Sequence, residues 1–141
     1  MANTIVTVGE HLAVMGEAPV VTAAVKPGFL LVRASGGVKP HASAGEGGTP
    51  MIATEKNAGL IGGDQNSTYA VGDQVSYAVL PKGAQFYAWL ASGENVAALA
   101  ELTSDGAGSL AELGVDEVAV FRALEAVNAT SATARILVEV I

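Results

Sequence analysis

The chain has 141 residues, with 14 acidic against 7 basic side chains, a net charge of −7 and no cysteine. The lack of cysteine excludes disulfides, thiol catalysis and cysteine-ligated zinc. The few scattered Lys and Arg cannot neutralise a phosphate backbone, so no direct nucleic-acid partner is expected. No apolar run approaches the ~20 residues of a membrane helix, so no membrane partner is expected either.

The length suits one domain with its own core. Met1–Glu10 has neither a basic segment nor a long apolar run, so no targeting segment is expected. Charged residues are only 15% of the chain and apolar ones 50%, many of them Ala and Val. Surface that is neither charged nor bulky suits close packing against other subunits, although compositional bias alone would look the same.

Seventeen glycines cut the chain into short segments. Many short segments between turn signals predict an all-β, mainly antiparallel domain, a β-barrel-like or β-sandwich fold with long Gly-rich loops. Residues 1–17 form an N-terminal arm or edge strand, in which Thr4, Val6 and Val8 alternate with Ile5 and Thr7. Residues 18–141 form a single β-rich domain. Val20–Val25 and Phe29–Arg33 read as strands around Pro27-Gly28, like a hairpin. Ser35–Pro50 is a long Gly- and Pro-rich loop, a length that points to function or disorder. Met51–Lys56 is a short strand, and Asn57–Asn66 a second Gly-rich loop.

From Tyr69 the pattern sharpens. Val71–Gln74 is a turn entering a strand at Val75–Leu80, and Pro81-Lys82-Gly83 turns into Phe86–Ala91. There Phe86, Ala88 and Leu90 share one face, with Tyr87 and Trp89 on the other. Large side chains on both faces imply a second layer or a partner. After a turn at Ser92–Asn95 come the apolar segment Val96–Thr103, a sharp turn at Ser104–Gly108, and Ser109–Leu113. Val96–Leu102 and Asp116–Val127 read as either helix or strand, since Asp116 could cap a helix rich in Ala, Leu and Glu. The β-branched content of Asp116–Val127 favours a strand. The alternating segment Ala134–Ile141 also needs a hairpin partner, which Val118–Val127 supplies.

No constellation for chemistry emerges. His11 and His41 lie thirty positions apart with no ligand spacing around them, so neither a metal site nor a histidine-based catalytic site is expected. No G-x-S-x-G elbow is present. Gly59–Asp64 lacks the lysine of a phosphate loop and reads as a turn. Asp105–Gly108 lacks the further oxygen ligands of a calcium loop. Asn66-Ser67-Thr68 and Asn128-Ala129-Thr130 match the glycosylation triplet only as chance turns. No cofactor is implied. Among the aromatics, Tyr87 and Trp89 are the candidates for a partner interface, because Trp and Tyr favour buried interface centres.

The stretch from Tyr69 to Ile141 resembles the capsid decoration, or cement, proteins of tailed bacteriophages. The resemblance rests on Tyr69–Val75, Val79–Gly83, Phe86–Leu90, Gly93–Val96, Leu102–Leu110, Phe121–Val127 and Ala134–Val140 in that order and spacing. These are turn-and-strand patterns without a chemical signature, and residues 1–68 match less clearly. The resemblance implies a non-enzymatic structural protein of the virion, made in the host cytoplasm. Such a protein would bind the capsid exterior as a homotrimer and clamp neighbouring major capsid protein subunits. Avidity would strengthen individually weak contacts. On this reading Thr4, Ile5, Val6, Thr7 and Val8 would add a strand to a neighbour's sheet edge, and deleting Ala2–Val8 would weaken binding while leaving the domain folded. A small ligand- or glycan-binding β-sandwich module on a virion or other assembly, with Tyr87 and Trp89 as its stacking platform, is the alternative.

Overall fold

The computed structural model describes residues 5–55 and 67–141. Thr4, the loop Asn57–Asn66 and the motif Gly59–Asp64 lie outside the described residues. In chain order the strands are β1 (Val6–Val8), β2 (Val14–Pro19), β3 (Leu30–Ala34), β4 (Gly37–Pro40), β5 (Met51–Ala53), β6 (Gln74–Val79) and β7 (Gln85–Leu90). They continue as β8 (Glu94–Val96), β9 (Glu101–Ser104), β10 (Leu110–Glu112), β11 (Phe121–Ala123), β12 (Val127–Ala129) and β13 (Ala134–Val140). The fold is all-β as expected. A single 3₁₀ turn, Glu10–Leu12, is the one helical element among the described residues.

The strands build two rolled sheets that share a wall. In the first, β7-β10-β9-β11-β13 closes into a barrel because β13 returns to pair with β7. One edge of β7 is taken along its length by β13, from Ala134↔Leu90 to Glu139↔Gln85. The other edge is divided between β1 near its start (Val6↔Phe86) and β10, parallel, at its end (Leu110↔Leu90). Alternation sends Phe86, Leu90, Leu102, Leu110, Phe121, Ile136 and Val138 inward, all fully buried. Phe86 and Phe121 meet edge-on, with ring centroids 5.1 Å apart at 74°. Ala88 and Ala123 supply the small positions that let rings of this size fit a five-stranded barrel.

The second sheet runs β2-β6-β5-β3-β4. Its ends are joined where Val20, just past β2, bridges in parallel to Val38 on β4. Its interior holds Val20, Val25, Leu31, Val38, Met51, Ala53, Tyr69, Val75 and Tyr77. The opposite faces of β3, β5 and β6 present Leu30, Ile52 and Ala78, which pack into the first core. Where they form this wall the strands are buried on both sides, which explains the adjacent buried pairs Leu30-Leu31, Met51-Ile52 and Tyr77-Ala78.

Several boundaries differ from expectation. Val20–Val25 is not a strand. It crosses the barrel end with only Val20 and Val25 bridged, and Thr22 adopts φ 82°. The hairpin partner of β3 is β4, not that segment, with the turn at Ser35–Gly36 where Gly36 takes φ 86°, and β5 takes the other edge of β3. The first residues of the predicted long loop are thus a hairpin. No helix forms at Val96–Leu102 or Asp116–Val127, where Leu99 and Asp116 take φ 70° and 61°. Val118–Val127 does supply the partner of β13, but only through β11 (Phe121↔Val140). Beyond Ala123 the chain leaves the barrel wall, and β12 pairs with β8 instead (Val127↔Val96). The boundary at residue 17 falls inside β2, whose pairing with β6 runs continuously from Val14↔Val79 to Pro19↔Gln74.

Candidate interface surface

Tyr87 and Trp89 point out of the first barrel, as the period-2 alternation of β7 requires, and each is half-buried. The Trp89 indole N–H donates to the Pro27 carbonyl at 3.0 Å. The Arg135 guanidinium lies 4.1 Å from the centre of the indole ring, and the Lys26 ammonium 5.2 Å from it. Arg135 also donates from Nη1 to Pro27 O (2.6 Å) and Tyr87 O (3.2 Å). Burial pushes its pKa down to about 10. The 26–28 turn is thereby latched onto the barrel wall. Gly28, at φ 95°, lies so close that a Cβ there would collide with Arg135 Nη1 and Tyr87 O. With two cations over its ring and its N–H engaged, Trp89 is a structural latch, not an open platform for stacking a sugar.

The N-terminal residues divide into two groups. Ile5 and Val6 are buried in the chain's own core. The Ile5 carbonyl accepts from Tyr87 N–H at 2.9 Å, and its N–H donates to Glu55 Oε2 at 2.9 Å. The strand addition expected of this segment thus occurs within the chain, onto β7. Thr7 and Val8 are exposed. Val8 begins a surface that the sequence analysis missed: Val8, Leu12, Val14 and Met15 are 48%, 67%, 68% and 50% exposed. Four large apolar side chains are thus bared within eight residues, with Val14 and Met15, consecutive on β2, on opposite faces of that strand. The run Leu12-Ala13-Val14-Met15 was the only signal of this exposure, and it looks identical to a core strand.

The two histidines are far apart in role. His11 is exposed in the 3₁₀ turn, whereas His41 is 5% exposed with Nδ1 2.7 Å from Ser104 Oγ. Ser104 is 1% exposed, so a substrate cannot reach its hydroxyl. Asp105 Oδ1 accepts the N–H groups of Ala107 (2.7 Å) and Ser109 (3.1 Å), which holds the predicted tight turn. No three His, Asp or Glu side chains converge on a metal-sized site among the described residues.

No family model matches the sequence, nor does any curated protein. The fold itself has a solved counterpart in the N base of the head fiber protein gp8.5 of bacteriophage phi29. The likeness has a TM-score of 0.61 at 13% identity and covers 92% of this chain and 94% of that one. At that identity the likeness is one of fold.

Proposed function

We propose that this chain is a non-enzymatic structural protein of a phage head that binds the capsid exterior and bridges major capsid protein subunits. The observation that carries this reading is the agreement of fold over nearly the whole of both chains with a head fiber base. The decoration-protein pattern from Tyr69 to Ile141 points the same way. The exposed apolar stretch Val8–Met15 is the surface we assign to the capsid contact, since burying it yields hydrophobic free energy without any chemistry. A homotrimer fits this role because several weak contacts per particle multiply into firm attachment. The protein would be made in the host cytoplasm and reside on the virion.

Co-sedimentation with expanded heads of the cognate major capsid protein tests this, together with the solution mass by light scattering. Saturable binding by the wild type, and its loss in the Leu12→Ser, Val14→Thr double variant, is expected. A wild-type protein that stays in the supernatant at every ratio overturns the role. A variant that still binds overturns the surface. A mass near three chains is expected either in solution or for the head-bound species.

A further inference from the structure

Strand β2 is paired along one edge only. β6 holds it from Val14↔Val79 to Pro19↔Gln74. On the other edge β4 arrives only at the strand's end, where Val20 bridges to Val38 and Val21 N–H donates to Val38 O at 2.9 Å. There Gly37 lies so close to the Pro19 carbonyl that a Cβ would collide with it.

The ladder fixes which main-chain groups face the open edge. Val20 N–H donates to Asp73 O at 2.9 Å, so Val20↔Asp73 is a hydrogen-bonded pair. Antiparallel pairs alternate, so Ala18, Gly16 and Val14 also bond to β6, while Met15 and Glu17 turn their N–H and C=O groups the other way. The far side of β6 agrees, since Leu80 N–H donates to Pro50 O and Ser76 O accepts from Thr54 N–H. Pro19 sits where its missing N–H removes no ladder bond. Among the described residues nothing pairs with the main chain of Met15 or Glu17. Their side chains share the outer face of β2, both exposed, and Glu17 has no ion pair among the described residues. On the inner face Gly16 carries no side chain, and the Tyr77 ring fills the place of one.

The geometry points to this edge as the acceptor of an extended segment from a partner protein, added antiparallel to β2. Opposite residues of paired strands share a face, so the segment carries Lys or Arg facing Glu17 and an apolar residue two positions later facing Met15. Charge complementarity sets the base, because Glu17 is uncompensated on a chain of net charge −7. A second copy of this chain fits poorly. Two paired β2 strands would put both Glu17 carboxylates on one face, and each copy's own β4 occupies the same edge at Pro19. The identity of the partner rests on the head-binding role proposed above, whereas the edge itself is tested without it.

The probes are the peptide acetyl-Thr-Lys-Thr-Val-Thr-amide and its counterpart with Glu in place of Lys. In ¹⁵N-labelled protein the Met15 and Glu17 amides should shift saturably with the Lys peptide, and the Glu peptide should bind about three-fold or more weaker. Glu17→Lys should reverse that order. Met15→Pro removes an N–H that bonds nothing in β6, so the thermal midpoint should stay close to that of Met15→Thr, which keeps the N–H. Met15→Pro should nevertheless bind the Lys peptide about five-fold more weakly than Met15→Thr, and co-sediment less with heads. Unmoved Met15 and Glu17 amides, equal binding of the two peptides, or Met15→Pro binding as Met15→Thr does would each overturn the site. If Met15→Pro does not fold, the charge reversal at Glu17 decides alone. Peptide binding by a protein that never co-sediments with heads would support the edge and overturn the head-binding role.

Discussion

At the scale of single residues, the positions that matter most are those where backbone and neighbour leave no room. Gly28 combines a left-handed φ of 95° with close approach to Arg135 and Tyr87. Gly28→Ala is therefore expected to cost about 3 kcal/mol or more, from backbone strain plus the collision. A thermal midpoint lower by roughly 10 °C, followed by Trp89 fluorescence, would register it. Thr22 poses the converse case. It is exposed and β-branched yet held at φ 82°, so Thr22→Gly relieves a left-handed strain of about 1–2 kcal/mol and gives back about half in chain entropy. A small rise in the denaturant midpoint is expected, and a fall would contradict this account. Tyr69 sets a pH dependence. Its hydroxyl donates to Thr54 O at 3.0 Å, and burial raises its pKa above the ordinary 10.0. The folded state thus holds the phenol proton more tightly than the unfolded chain. This contribution is intact below the unfolded phenol's pKa and is lost as pH climbs through the folded one. An absorbance titration of the tyrosines should show one late phase that Tyr69→Phe removes.

At the scale of elements, β1 shows how a terminal segment can belong to a core. Removing Ala2–Val8 withdraws Ile5 and Val6 from the first barrel, each worth about 1.5–3 kcal/mol when fully buried. It also strips the β7 edge of its partner near Phe86. The truncated protein is expected to unfold at clearly lower denaturant, so the deletion cannot separate binding from folding, and point changes at Leu12 and Val14 are the cleaner probe. How much of each element was legible depended on what its neighbours asked of it. The alternation of Phe86, Ala88 and Leu90 against Tyr87 and Trp89 was readable because one face is core and the other is not. The Val118–Val127 stretch was readable only in part. Its β-branched residues indicated strand, but no local pattern says that the chain changes sheets after Ala123. Val20–Val25 misled because two buried valines bridging a barrel end resemble a strand in composition.

For the whole molecule, the shared wall predicts cooperativity. Since β3, β5 and β6 contribute Leu30, Ile52 and Ala78 to one core and Leu31, Met51 and Tyr77 to the other, neither barrel can melt alone. Trp89 fluorescence and the near-ultraviolet signal of the second barrel's tyrosines should report one coincident transition. Ile52→Ala should lower both together by about 2–5 kcal/mol, the usual cost of such a cavity. Two separate transitions would refute the shared-wall description.

The sequence by itself determined the all-β class, the turns at glycine, the absence of cysteine chemistry and the two faces of β7. These follow from residue type and period-2 spacing, which act over a few neighbouring positions. Only the tertiary structure decided which strands close on which, that Ile5 and Val6 belong to the core, that Trp89 is covered by Arg135 and Lys26, and that Leu12, Val14 and Met15 are bare. It also brought His41 to Ser104, 63 positions away in the chain. Burial and long-range pairing depend on where distant segments meet, and an apolar residue reads the same in one chain whether a neighbour covers it or leaves it for a partner.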